Sequence, residues 1–439
     1  MKKWMTMALA GTMFTLSACG GGPGAQGGAQ ETSGEASSDV SGTKTITLTM
    51  GIHVANPAEQ EPAAYQVVQA FMKANPDVKV EMQGADTAEH VSKMKAAAQA
   101  GTLPDVFWML PAPAREMADA GLLLDLSEFM ENNPDEAAGI FPNMVANYQL
   151  DGKQYGLPYQ SLVTGLWYNK NIFADNGVKV PETYDELLAA AQTFTSKGIV
   201  TIAKGGKDAF STWAMQGMLN RFGYFDKIDA ILAKEEKFNN PDFVRFFGKL
   251  EELTKAGAFP ENVSTLSYFQ AVEMFMNGKA AMLDAGVWEA GKVDEAGIDA
   301  GWSWGPTFSD GVGNQKVRVV VATAPLVANA KVKEDPMKYD AVMRFYKFWY
   351  SQEGAKVTLD HNAMPAVAFQ GEYETSAKAF GEVLKQIQDA SWEGAPNQPD
   401  LAVPEIVGNA INDGIYGVIN GIFTPEQAVD YVDEALGNQ

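Results

Sequence analysis

From Thr45 onward the chain switches repeatedly between two hydrophobic periods. Thr45–Gly51 (TITLTMG) alternates polar and apolar residues, the period of a half-buried strand. Pro62 then opens a helix with apolar positions at Tyr65, Val68, Phe71 and Met72, and Asn75-Pro76 ends it. Val78–Met82 reads as a second strand. Thr87–Ala100 reads as a polar helix stopped by Gly101, and Asp105–Leu110 (DVFWML) as a short buried strand. A helix from Pro113 to Ala120 ends at Gly121. This β-α-β-α-β-α rhythm predicts a parallel sheet with helices on both faces.

The rhythm continues. Leu162–Tyr168 is strand-like, and Thr183 with Glu186 three residues on forms a capping box for a helix through Phe194. A helix from Asn240 or Pro241 runs to about Ala256, before Gly257. Tyr268–Met276 reads as a helix, Gly278 as its left-handed cap and Ala280–Asp284 as a strand. Val317–Ala324 is one β-branched strand, Asp335 caps a helix over Pro336–Tyr350, and Pro425–Leu436 is the last helix, begun by Thr424.

The segment before Thr45 has a different grammar. Lys2 and Lys3 precede an apolar run, Trp4 to Leu16, of the length of a signal-peptide core and too short to span a bilayer. Leu16-Ser17-Ala18-Cys19 follows, and Cys19 is the only cysteine in 439 residues. One cysteine makes no internal disulfide, and a glycine-rich surrounding offers no electropositive pocket to activate a thiol. The tetrapeptide resembles the bacterial lipobox, which implies cleavage after Ala18 and lipid on the Cys19 sulfur. A plain secretory signal with a stray cysteine is the alternative. Gly20–Thr43 is Gly, Ala, Ser, Gln, Glu and Thr with almost nothing apolar, a composition expected to remain a tether spanning on the order of 27 Å. The GxGxxG over Gly22–Gly27 has no strand before it and no helix after it, so it is not read as a nucleotide site.

The chain beyond the tether is long enough for two ordinary domains. A formal charge of −22 repels phosphate backbones, which argues against nucleic acid and favours a soluble monomer. Three histidines and one cysteine leave little for a transition-metal site, so no metal or cofactor is expected, though oxygen ligands are abundant enough for calcium.

Several stretches together resemble one family. They are Leu103-Pro104-Asp105-Val106-Phe107-Trp108 with Ala120-Gly121-Leu122-Leu123-Leu124-Asp125-Leu126, and Tyr155-Gly156-Leu157-Pro158-Tyr159 with Trp167-Tyr168-Asn169-Lys170. Val180-Pro181-Glu182-Thr183-Tyr184-Asp185-Glu186-Leu187 follows, then Phe275-Met276-Asn277-Gly278-Lys279-Ala280-Ala281-Met282, then Thr424-Pro425-Glu426-Gln427-Ala428. Each is weak alone. Five in order behind a lipobox resemble a family 1 extracellular solute-binding protein, the maltose-binding-protein-like carbohydrate-binding component of a bacterial ABC importer. The resemblance covers nearly all of the chain after the tether. It implies an α/β fold of two lobes, the periplasmic-binding-protein-like fold of type II, each lobe a β-sheet flanked by helices, with a three-crossing hinge. The crossings are placed near Leu157–Gly165, Pro306–Val317 and Asp360–Val367. The division expected is 1–18 signal peptide, 19–43 lipidated cysteine and tether, 44–160 plus 312–362 first lobe, and 161–311 plus 363–439 second lobe. It also implies a binding protein without catalysis, held by lipid on the outer face of the cytoplasmic membrane, whose closed form docks on a permease. The leader and tether look like those of Gram-positive bacteria.

A sugar presents apolar C–H faces and an equator of hydroxyls, so its site needs aromatic faces with Asp, Glu, Asn, Gln or Arg around them. Trp288 follows a strand at the C-terminal edge where ligands of open α/β sheets bind, and the family stacks an aromatic residue on sugar there. Asp284 and Glu289 flank it; a solvated charge is the plainer reading for each. Tyr159 and Gln160 lie on the first crossing. His53, Asn56 and Glu61 come from the loop HVANPAEQE after the first strand, where Glu61 alternatively favours a helix N-terminus. Trp108 ends the third strand. Trp213 opens a loop of the second lobe with Arg221 and Tyr224 nearby, Trp392 lies in a Gly/Pro-rich loop, and His361 with Asn362 lies on the third crossing. Trp302 and Trp304, two residues apart, point to one sheet face and read as core.

Other classes were weighed. A glycoside hydrolase needs two carboxylates about 5–10 Å apart, and 55 acidic residues always supply some pair. Gly301-Trp302-Ser303-Trp304-Gly305 is formally GxSxG, but Pro306 and a loop follow instead of the required helix. A polyamine or peptide receptor stays open within the binding class.

Overall fold

The computed structural model describes residues 45–207, 211–371 and 373–437. The expected leader, the expected lipidation at Cys19 and the expected tether lie outside the described residues.

Two mixed sheets organise the chain. The strands, in chain order, are β1 (Ile46–Ile52), β2 (Val78–Gly84), β3 (Val106–Trp108), β4 (Gln149–Leu150), β5 (Lys153–Gln154), β6 (Leu157–Pro158) and β7 (Ser161–Asn169). Then come β8 (Val200–Ala203), β9 (Ala280–Gly286), β10 (Ala300–Ser303), β11 (Val317–Ala322), β12 (Pro325–Ala328) and β13 (Glu393–Gly394). The first sheet runs β2-β1-β3-β12-β6. Its three leading strands are parallel, as the βα rhythm predicts, but β12 enters antiparallel to β3. The second sheet runs β13-β11-β7-β9-β8, with β10 also on β7. It is mostly antiparallel around β7.

Apolar residues cover both faces of each sheet. On the first, Phe71 and Phe345 from the helices Pro62–Ala74 and Pro336–Trp349 pack with Leu48 and Met50 on one side. Met94, Met117 and Phe107 fill the other. On the second, Leu187, Phe246, Ile411 and Ile415 close one face, and Trp167, Leu283, Trp302 and Phe380 the other. Trp302 and Trp304 are therefore core, as expected. The Thr183–Glu186 capping box forms at Tyr184–Ser196, Asn240 caps Pro241–Lys255 and Asp335 caps Pro336–Trp349.

The strand expected over Val317–Ala324 stops at Ala322, and a further strand begins at Pro325. Residues 319–322 pair with β7 and 317–318 with β13 in the second sheet, while 326–328 pair with β3 and 325–326 with β6 in the first. The second crossing is therefore Thr323-Ala324, not 306–317, and β11 belongs with the second sheet instead of the first lobe. β11 (VRVVVA) is β-branched at four of six positions and β12 (PLVA) at one of four, and Pro325 marks the switch. The expected third crossing, 360–367, holds contacts to both cores: Met364 packs on the second, Ala366 and Val367 on the first, where Val367 bridges Ile140, and the next helix, Lys378–Gln388, packs on the second again.

The crossings are bound to one another. The Gln160 N–H donates to the Thr323 hydroxyl (3.0 Å), the Thr323 N–H donates to the Gln160 carbonyl (3.1 Å), and the Tyr159 N–H donates to the Ala324 carbonyl (3.2 Å). Ser161 donates through its N–H to the Met364 carbonyl (3.0 Å) and through its hydroxyl to the Pro365 carbonyl (2.6 Å). The Tyr148 hydroxyl donates to the Thr323 carbonyl. Three segments from distant parts of the sequence thus form one hydrogen-bonded hinge.

Candidate functional site

Strand register aims both sheets at this hinge. In the second sheet Thr164, near the hinge end of β7, opposes Gly286, the last residue of β9. Because β8 runs parallel to β9, its C-terminal end also faces the hinge. In the first sheet Leu326, next to the crossing, opposes Trp108 at the end of β3. Residues just past the C-terminal ends of β1, β3, β8 and β9 therefore gather where the lobes meet, the usual ligand edge of α/β sheets.

The first-lobe group contains five of the expected residues. The His53 ring stacks on Trp108, with centroids 4.1 Å apart and planes 17° apart, and meets Tyr159 edge-on at 6.0 Å. His53 Nε2 lies 3.6 Å from the Glu61 carboxylate. His53 Nδ1 and Gln160 Nε2 are buried without a hydrogen-bond partner. Burial, aided by His90, pushes the His53 pKa down to about 3, so the ring is neutral near pH 7. Burial pushes the Glu61 carboxyl up to about 7, with the nearby Tyr159 hydroxyl working against it. Trp108 and Tyr159 are themselves buried, so this half of the site offers the His53 edge and unsatisfied hydrogen-bonding atoms, with little fixed charge. Asn56 is exposed and its side chain caps nothing.

The second-lobe group forms around Trp288, which is 40% exposed. Its indole N–H donates to the Tyr268 hydroxyl (2.8 Å), and Tyr268 donates to Glu289 (2.6 Å). Trp213 meets Trp288 edge-on at 5.0 Å and Tyr268 at 5.1 Å. A Cβ on Gly286 would lie 2.0 Å from the Trp288 ring, so only glycine leaves room for the indole against the strand. Tyr268 joins all of these residues, yet in the sequence it is only the first residue of an amphipathic helix, with no signal of a site.

Other expectations are corrected. Asp284 does not face ligand. Its side chain is fully buried, 2.5 Å from the Lys204 ammonium, and accepts from the Ala214 N–H (2.7 Å). It fixes the start of the helix Trp213–Leu219, and so positions Trp213. Glu289 is buried between Tyr268 and Lys292 (3.0 Å) and supports the ring group instead of standing open to solvent. Arg221 is fully buried and donates to four carbonyls, of Gly217 (2.8 Å), Trp304 (2.8 Å), Gln315 (3.0 Å) and Val317 (3.3 Å). Burial lowers its pKa to about 10. The half-buried Trp392 lies with its ring centre 5.9 Å from that guanidinium and packs on the second-sheet core. His361 ends the helix Gln352–Asp360 with Nδ1 2.9 Å from the Val357 carbonyl, and joins neither group. Tyr224 binds the Pro399 carbonyl (2.8 Å) in the core. Among the described residues, no three His, Cys, Asp or Glu side chains stand together as a metal site.

Comparison with known proteins gives this geometry a family. The multiple sugar-binding protein of Streptococcus mutans serotype c is 26% identical over 325 residues, covering 69% of this chain and 73% of the relative. The sn-glycerol-3-phosphate-binding periplasmic protein of Escherichia coli strain K12 is 25% identical over 409 residues, covering 85% and 88%. An uncharacterised ABC transporter extracellular-binding protein of Pyrococcus horikoshii is 27% identical, but the match spans only 55% of its length. Among solved structures, a chitin oligosaccharide binding protein superposes with a TM-score of 0.76 at 22% identity, over 90% of this chain and 98% of the other. The maltose/maltodextrin-binding domain of Bdellovibrio bacteriovorus, bound to maltotriose, gives 0.68 at 18%, over 90% and 99%. The fold is thus the two-lobed α/β periplasmic-binding-protein fold. The model of the bacterial extracellular solute-binding proteins matches residues 55–356, well over half of the sequence, and the chain belongs to that family.

Proposed function

We propose that the protein captures a carbohydrate, an oligosaccharide, between its lobes and delivers it to the permease of an ABC importer. The observation that carries this reading is the Trp288 face, part-exposed and pinned by Tyr268, on the same hinge edge as His53 and Gln160 with their unpartnered polar atoms. An aromatic face covers the C–H side of a sugar ring, and unpartnered donors and acceptors select its hydroxyls, at about 1–3 kcal/mol for each buried group left unpaired. Contacts to both lobes favour closure, because a ligand shifts a conformational equilibrium only by its differential affinity for the two states. The names of the sugar-binding relatives support the same class. Cys19 carries the lipid that holds the receptor at the outer face of the cytoplasmic membrane, since two acyl chains anchor a protein stably.

A phosphate-bearing solute, as in the name of the Escherichia coli relative, is less well served. The buried cations Lys204 and Arg221 are spent on Asp284 and on carbonyls. The test is a thermal-shift screen with chitin, xylan-derived and malto-oligosaccharides, glycerol 3-phosphate, polyamines and peptides. A ligand at 100 times its Kd adds about 2.7 kcal/mol of stability. A shift with one glycan, recovered intact, supports capture. A shift with only phosphate, polyamine or peptide overturns the carbohydrate class, and a cleaved glycan overturns capture itself.

A further inference from the structure

We infer that Phe269 and Lys292 form an outer subsite that takes a second sugar ring of the ligand held at Trp288. This rests on the oligosaccharide reading above and adds to it residues that neither the sequence nor the family motifs single out.

The helix Tyr268–Met276 buries Tyr268, Ala271, Val272 and Phe275. One residue beyond Tyr268 the helix has turned about 100°, so Phe269 points away from that face. Its ring is 62% exposed. A single exposed apolar side chain is ordinary, but this one is held in place beside the residue that fixes the part-exposed Trp288. Its ring centre lies 5.3 Å from that of Tyr268, the residue that fixes the Trp288 indole. The Lys292 ammonium lies 5.5 Å from its centre and is itself tied to Glu289 (3.0 Å), which Tyr268 also binds. Contacts therefore run unbroken from Trp288 through Tyr268, Glu289 and Lys292 to Phe269. Two exposed aromatic side chains, Trp288 and Phe269, with the half-exposed Lys292 ammonium beside the second, match two linked sugar rings and a hydroxyl. A positioned phenyl also costs little side-chain entropy on binding, which makes it an effective stacking surface.

Titration calorimetry of the purified full chain against chitin, xylan-derived and malto-oligosaccharides of one to six rings tests this. In the wild type, affinity rises when the ligand lengthens beyond the ring held at Trp288. Phe269→Ala removes about tenfold of that gain, equal to about 1.4 kcal/mol, and Phe269→Tyr restores it. The melting temperature without ligand checks that each variant is folded. A length dependence in Phe269→Ala equal to that of the wild type overturns the outer subsite while capture at Trp288 stands. A wild type that binds single rings as tightly as chains overturns the subsite as well. A wild type that binds no glycan overturns the oligosaccharide reading together with it.

Discussion

Lys204→Met separates a structural role for Asp284 from a ligand-binding one. The Lys204–Asp284 pair has side chains at 1% and 0% exposure and an N–O distance of 2.5 Å. Methionine keeps the length and apolar stem of lysine but removes the charge. Asp284 then retains the Ala214 N–H but no counter-ion. Stranding one member of a buried pair costs about 3–5 kcal/mol. With a urea slope of about 3 kcal/mol per molar, the unfolding midpoint falls by about 1 M or more. The sign of the pH dependence follows from the same cause. A stranded buried carboxylate has a raised pKa, so its penalty applies above the unfolded carboxylate value and fades as pH falls towards about 4. The double variant Lys204→Met with Asp284→Leu removes both charges and recovers much of the loss, because apolar replacement of a whole buried pair is often close to neutral. Ligand affinity falls in the single variant too, through the helix that carries Trp213. A Lys204→Met protein within about 1 kcal/mol of wild type at pH 7, or a double variant no more stable than the single, would refute the reasoning.

Glu61→Gln tests the buried carboxyl beside Tyr159. The folded pKa of about 7 exceeds the unfolded value of about 4.5, so ionising Glu61 destabilises the fold progressively from pH 4.5 to 7. The stability of wild type relative to the variant therefore drops between pH 5 and pH 8, by up to about 3 kcal/mol, and an unchanging difference across that range contradicts the assignment. Gly286→Ala forces the Trp288 ring off its seat, so glycan affinity measured by calorimetry falls at least about tenfold, and an unaltered Kd argues against Trp288 as the stacking face. Thr183→Ala removes half of a capping box remote from the hinge and lowers unfolding free energy by about 1 kcal/mol while leaving sugar affinity alone.

Some of this protein is written locally in the chain. Capping boxes, Pro at helix starts and Gly at left-handed ends place Tyr184–Ser196, Pro241–Lys255 and Pro336–Trp349 almost to the residue, since those signals act within one helical turn. Trp288 is legible for a similar reason, because a glycine, a strand end and an indole sit within three residues. The helix Glu405–Ile419 is not read in advance. Its glycines at 408, 414 and 417 look like breaks, yet Gly408 and Gly417 let the Asp400 carbonyl and the Phe423 ring approach, and that need appears only once the neighbours are in place. The same holds for the site. Composition gives carboxylates and indoles but not their partners. Asp284 meets Lys204 across eighty residues, Glu289 meets Tyr268 across twenty-one, and Thr323 meets Gln160 across 163. Whether a carboxylate faces a ligand or a buried ammonium depends on which strand lies beside it. Local sequence therefore determined the elements and the family, while strand order and register decided which side chains are buried in pairs and which stay open at the hinge edge.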